Sequence, residues 1–280
     1  MRLSVEKTLK MYVGGRFIRS ESGRVLPLQS PNETPMYACH ASRKDLRDSI
    51  AKSRAAQAGW AGRTAYNRGQ ILYRLAEMMD DKGPTLPTTE ADWTGAVDRA
   101  VHHAGWSDKI TAILSSLNPV GQAFVNYSMI RPMGVVVGIP HPDDGLLGLV
   151  ELTCQALLMG DTITLLTPIS MAELVAAYAE LLHTSDIPAG TVNLLTGPID
   201  ELIAVANIHD DLDCILAVEG AVTTEQWTSA EHEGAHVLRR LVVATRAKTP
   251  AGPDALARLG EIKTVWMSAG GEVPGGRLAY

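Results

Sequence analysis

The sequence predicts an α/β protein built on a parallel sheet with crossover helices, and three observations lead there. Short apolar, β-rich runs lie at residues 134–139, 162–166, 191–195 and 213–218. Between them, residues 146–159, 170–183 and 199–207 carry apolar side chains at helical spacing. Strands that alternate with helices of this length close into parallel strand–helix–strand units. The unit repeats three times between Met133 and Gly220, and then the pattern stops.

The elements before the repeat follow from local chemistry. Tyr12-Val13-Gly14-Gly15-Arg16-Phe17-Ile18 reads as a β-hairpin turning at Gly-Gly. Residues 27–37 are extended and turn-rich. Residues 43–58 form a helix with Leu46, Ile50, Ala51, Arg54 and Ala58 on one face, and residues 65–80 form another through Ile71, Leu72, Leu75, Ala76 and Met79. Gly83-Pro84-Thr85-Leu86-Pro87 interrupts the pattern. One long helix is expected over 93–115, and residues 122–129 alternate like a solvent-facing strand. After Gly220, residues 222–234 are polar, 237–243 are strand-like, 247–254 read as a linker, and Ile262 to Met267 form a last strand. The end, 269–280, is rich in glycine and offers little to bury, so a flexible tail is expected.

Composition narrows the function. The chain has 280 residues, 46% of them hydrophobic, enough for a substantial core. A net charge of −6 argues against nucleic acid, which selects a basic face. No apolar run reaches membrane-spanning length, and the start, Met1-Arg2-Leu3-Ser4-Val5-Glu6-Lys7, lacks the apolar core of a signal peptide. Cys39, Cys154 and Cys214 have no metal-like spacing and leave one thiol over in any pairing scheme, which fits a reducing cytoplasm.

Six strings in order give the chain a resemblance to the aldehyde dehydrogenase superfamily. They are Tyr12-Val13-Gly14-Gly15-Arg16-Phe17; Ala55-Ala56-Gln57-Ala58-Gly59-Trp60; Asn67-Arg68-Gly69-Gln70-Ile71-Leu72; Gly105-Trp106-Ser107-Asp108-Lys109; Arg131-Pro132-Met133-Gly134-Val135-Val136; and the stretch from Thr184 to Gly197. The resemblance implies the Rossmann-like parallel sheet of that family's cofactor domain plus a β-strand oligomerisation arm. It implies a cofactor-type domain over 1–118 and 132–226, with 119–131 and 236–268 as arm and remnant. Leu259-Gly260-Glu261-Ile262-Lys263-Thr264-Val265-Trp266 resembles the strand that extends a sheet in a neighbouring subunit, so Ile262 to Trp266 is the expected contact with a second copy or with a full-length aldehyde dehydrogenase.

The departures from the family pattern carry the functional expectation. The loop after the first strand of the repeat is Ile139-Pro140-His141-Pro142-Asp143-Asp144-Gly145, where the family has Pro-Trp-Asn-x-Pro. Leu166-Thr167-Pro168-Ile169 stands for Lys-Pro-Ser-Glu, whose Lys and Glu hold a ribose, and Ala217-Val218-Glu219-Gly220 for Phe-Thr-Gly-Ser beside the diphosphate. Neither the general-base string Glu-Leu-Gly-Gly nor the nucleophile string Gly-Gln-x-Cys occurs. The roughly two-hundred-residue catalytic domain looks excised, and the whole resembles the degenerate second module of two-module aldehyde dehydrogenases. The expectation is a non-catalytic, aldehyde dehydrogenase-like subunit, an oligomerisation or regulatory scaffold with no catalytic, cofactor-binding or metal residues assigned, binding NAD weakly or not at all.

Two alternatives stand beside it. One is a residual NAD(P)-binding oxidoreductase. The other is a metal-dependent hydrolase, because His141-Pro142-Asp143-Asp144 resembles the metal loop of zinc-dependent N-deacetylases, with His209-Asp210-Asp211 as a source of further ligands; a helix cap is the simpler reading of the loop. Gly197, Pro198 and Asp200 suggest a phosphate-cradling turn but fit a plain strand-to-helix turn better. His102, His103 and His209 read as surface or capping residues. Trp60 and Trp106 read as packing anchors, and Trp266 as a residue facing a partner.

Overall fold

The strands of the repeat read as nearly unbroken apolar runs because both faces of their sheet are covered, and the two faces sort the side chains by parity. Val136, Ile163, Leu165, Leu194 and Leu216 point into one core, and Val135, Val137, Leu166, Leu195 and Ile215 into the other. The computed structural model describes residues 6–28, 35–121 and 123–268.

The chain opens with β1 (Lys7–Leu9), β2 (Met11–Val13), β3 (Arg16–Ile18), β4 (Val25–Leu28) and β5 (Met36–Cys39). Gly14 and Gly15, both at positive φ, turn β2 into β3 as expected. Helices α1 (Arg43–Ala61) and α2 (Ala65–Lys82) follow, then α3 (Glu90–Trp106) and α4 (Ile110–Leu114). Strands β6 (Ser116–Asn118) and β7 (Phe124–Pro132) lead to the repeat: β8 (Val135–Ile139), α5 (Gly145–Met159), β9 (Thr162–Thr167), α6 (Ala172–Thr184), β10 (Val192–Thr196), α7 (Ile199–Ala206) and β11 (Cys214–Val218). The chain continues through α8 (Thr224–Ala235), β12 (Arg240–Ala244), α9 (Pro253–Ala257) and β13 (Gly260–Ser268).

The central sheet runs β12-β11-β8-β9-β10-β2-β3, with β8 through β12 parallel and β2 and β3 antiparallel at one edge. Helices α2, α3, α5 and α6 line one core, and α1, α7 and α8 line the other. A small sheet β1-β5-β4 sits to one side, and β13-β7-β6 forms a separate antiparallel sheet. Trp60 is fully buried and its indole N–H donates to the Leu157 carbonyl at 3.0 Å, tying α1 to α5. Trp106 is half-buried, with its indole N–H 3.0 Å from His102 Nε2.

Three expectations are corrected. The repeat does not stop at Gly220: β11, α8 and β12 form a fourth unit, so residues 240–244 belong to the central sheet and not to an arm beginning at 236. Helix α8 buries chiefly Ala230 and Gly234, so its sequence carries no apolar stripe to announce it. The helix expected over 93–115 is two, because α3 ends at Trp106 and the chain turns through Ser107-Asp108-Lys109 before α4. The tail 269–280, Gln122 and residues 29–34 lie outside the described residues.

Candidate functional site: the strand switch point

In a doubly wound sheet the ligand crevice opens at the carboxyl ends of the strands, where the strand order reverses. Here the chain proceeds from β8 to β9 and β10 on one side and returns to β11 on the other, so the switch point lies between β8 and β11. The loops that meet there are 140–145 and 219–223.

Side chains of the chain itself meet at this place. Gly220, at φ +80°, faces the imidazole of His141: a Cβ on Gly220 would lie 3.5 Å from His141 Cδ2. His141 caps a short 3-10 turn, its Nδ1 accepting from the Asp143 amide at 3.2 Å. Asp144 points away from solvent and meets Arg246, which lies just beyond the end of β12. Arg246 Nε donates to both Asp144 oxygens, at 2.8 and 3.0 Å, and the Ala247 amide donates to Asp144 Oδ2 at 3.2 Å. The hydrogen bond with Asp144 holds the guanidinium even further above its ordinary pKa, with Asp144, Asp143 and Glu219 adding favourable charge. One cation among three carboxylates leaves the switch point formally negative.

Backbone amides that could receive an anion at the start of α5 are also engaged. Asp92, on α3, accepts from the amides of Leu146 at 2.8 Å and Leu147 at 3.0 Å. A Cβ at Gly145 would run into that carboxylate at 2.5 Å, and Gly145 holds φ +55°, so glycine is required on both counts. At α8 a capping box pairs Thr223 and Gln226 reciprocally, and Gln226 also donates to Asp200. Gly197 packs against Ala41, where a Cβ would come within 3.1 Å of the Ala41 amide nitrogen, and its own amide donates to Thr167 O at 3.0 Å. The turn at Gly197, Pro198 and Asp200 is therefore a close-packed strand-to-helix connection. The residues at the switch point do not fit a dinucleotide: helix N-termini that would meet a diphosphate are capped internally, and the open side chains carry the wrong sign.

The alternative metal loop is not assembled. Asp144 is committed to Arg246. His209-Asp210-Asp211 precedes β11, at the amino end of a strand parallel to β8, whereas His141 follows the carboxyl end of β8. The two strings thus sit at opposite ends of the sheet, and His209 instead accepts from the Asp211 amide at 3.2 Å.

The cysteines are buried and unpaired. Burial pushes the thiols of Cys154 and Cys214 far above the ordinary range, with Glu151 adding to the rise at Cys154 and Asp161 at Cys214. A thiol held protonated in a sealed core is no nucleophile.

A buried polar cluster escaped the sequence reading. His103, expected at the surface, is fully buried on α3, and its Nε2 lies 3.1 Å from Glu151 Oε2 of α5. Arg99 forms an ion pair with the same oxygen and donates to the Ala247 carbonyl at 2.8 Å. Gln155 Nε2 and the Ala251 amide donate to Glu151 Oε1 at 2.6 and 2.9 Å. Burial alone would raise the Glu151 pKa, but the His103 hydrogen bond and charge, followed by those of Arg99, bring it down to about 2. The cluster binds the segment after β12 onto α3 and α5. No motif connects its three segments, 99–103, 151–155 and 247–251, which lie far apart in the chain.

The fold defines a protein of the Rossmann-like, doubly wound α/β class. The aldehyde dehydrogenase family model matches residues 17–251, and the chain belongs to that family. It is 28% identical over 224 residues to an aldehyde dehydrogenase of Aspergillus niger, covering 74% of this chain and 44% of that protein. It is 27% identical over 270 residues to retinal dehydrogenase 2 of Gallus gallus, covering 89% of this chain and 51% of that one. Among solved structures, the NAD+ complex of an aldehyde dehydrogenase from Bacillus cereus superposes with a TM-score of 0.76 at 22% identity, over 85% of this chain and 51% of the other, a likeness of fold. The chain spans about half the length of the curated relatives it matches. Among the described residues, no helix is long and apolar enough to cross a membrane.

Proposed function

We propose that this chain is a non-catalytic member of the aldehyde dehydrogenase family that acts as an oligomerisation or regulatory scaffold. The observation that carries the reading is the chemistry of the switch point, where Asp92 takes the first amides of α5, Arg246 is held by Asp144, and the carboxylates outnumber the cation that a diphosphate would need. The sealed cysteines support it further.

The arm supplies the means of assembly. Strand β13 pairs with β7 along one edge only, and no described strand covers the other. Ile262 and Trp266 stand 59% and 62% exposed there, with Trp266 against Phe124 at a ring separation of 6.2 Å. An edge carrying unpaired backbone groups and large apolar side chains is suited to strand addition by another chain. The partner in this reading is a second copy or a full-length aldehyde dehydrogenase, joined through Ile262 to Trp266.

Titration of the purified chain with NAD+ and NADP+ tests the first half: micromolar binding of either would overturn it. Sedimentation of the wild type and of an Ile262→Lys, Trp266→Glu variant, alone and with an aldehyde dehydrogenase co-purified from the native cell, tests the second. A wild type that stays monomeric and retains no such partner removes the scaffold.

A further inference from the structure

The last turn of α8 reads His232-Glu233-Gly234-Ala235-His236. Two histidines four apart on a helix present their imidazoles on one face, the spacing by which helices hold zinc. Here the geometry follows the pattern. One ligand atom from each of His232, Glu233 and His236 can be chosen so that all lie within 4.8 Å of one another. The two imidazoles stand edge to face with centroids 5.7 Å apart, and Glu233 Oε1 is 3.4 Å from His232 Nδ1.

Packing of the helix leaves this face free. Gly234 is buried, with the Arg239 side chain 3.6 Å from where its Cβ would be, so the inward side of the turn is fixed by backbone approach. The guanidinium of Arg239 is turned away, donating to the carbonyls of Asn207, His209 and Leu212. His232 is 76% exposed in its side chain and Glu233 41%, so closing on an ion needs rotamer changes rather than refolding. The negative end of the helix dipole lies at the same turn and favours a cation.

We propose that His232, Glu233 and His236 form a surface site for a divalent transition metal, with zinc as the ion that suits two imidazoles and one carboxylate. This donor set disfavours magnesium and calcium, which take oxygen ligands. It leaves a fourth tetrahedral position open to water or to a ligand from another molecule. Glu233 stands among the ligand atoms instead of serving as the base that accompanies two such histidines in zinc hydrolases, so the chemistry of the site is binding.

Zinc sulfate titrated into the full chain against a chromophoric chelator should show one saturable site. His232→Gln and His236→Gln should each weaken it by about tenfold or more, while His209→Gln leaves it unchanged. Cobalt(II) should give the visible absorption of a four-coordinate ion, lost in both histidine variants. Circular dichroism checks that the variants keep the fold. Absence of saturable binding in the wild type, or binding that survives His232→Gln and His236→Gln together, overturns the proposal.

Discussion

Arg246 reaches back from the end of β12 to grip Asp144, in the loop after β8, with Nε 2.8 Å from Oδ1 and Nη2 2.8 Å from the same oxygen. The pair anchors the start of the link to α9 beside the switch point. Charge-assisted bonds made twice by one guanidinium hold geometry as well as energy.

Replacing the guanidinium should loosen that link. In Arg246→Ala, the Ala247 amide, which donates to Asp144 Oδ2, is expected to exchange faster with deuterium while the amides of β8 and β9 keep their protection. Equal rates in wild type and variant would show that the pair does not hold the segment.

Glu151 should matter far more. Removing it leaves Arg99 buried without its counter-ion, so Glu151→Ala is expected to cost about 3–5 kcal/mol in denaturant unfolding. A joint Arg99→Met, Glu151→Leu replacement should recover most of the loss, because the burial of charge goes with the pair. The acid limb carries the same signature. With the folded pKa down at about 2 against an ordinary 4.5, the carboxylate's contribution is complete above about pH 4.5 and is lost as pH falls through about 2. Urea unfolding from pH 5 to pH 2 should therefore be steeper in pH for the wild type than for the double variant.

Asp161 has the opposite sign. It is fully buried, accepts from the Gly134 amide at 2.7 Å, and is pushed well above the usual carboxylate range by burial, with Asp213 adding to the rise. A raised folded pKa gives stability that is complete below the unfolded value and is lost as pH rises through the folded one. Asp161→Asn keeps an acceptor for Gly134 and removes the titration. Its melting temperature relative to wild type should rise between pH 4.5 and pH 8; a constant difference would refute the account.

The thiols offer a direct test of the sealed core. Cys39, Cys154 and Cys214 should all resist a thiol reagent in native buffer and all react in denaturant. Fast labelling of any one in the native protein would reopen the question of a nucleophile.

The fold was legible where burial is uniform. β8, β9, β10 and β11 are buried at every position, so their apolar runs survive in the sequence without any tertiary knowledge. Helix α8 was not, because a polar helix at a sheet edge buries little. At the carboxyl ends of the strands, the positions where family groups are missing, such as Leu166 and Glu219, could be read directly from the resemblance. Their replacements could not: Asp92 and Arg246 act on α5 and Asp144 from distant segments, and His103 meets Glu151 only because α3 packs along α5. The spacing of His232 and His236 is visible in the sequence, but it gains meaning only once residues 224–235 are known to be helical.

The link from β12 to β13 is tethered at Arg246 and again at Ala251, by two carboxylates, Asp144 just before α5 and Glu151 within it. Strand β13 is thus delivered to β7 in a fixed register, Gly260 opposite Pro132 through Ser268 opposite Phe124. In the proposed assembly, a chain pairing along its outer edge would meet a strand whose backbone entropy was spent during folding. Its affinity would then rest on the contacts themselves, with little lost to ordering, so that a narrow strip of surface would be enough.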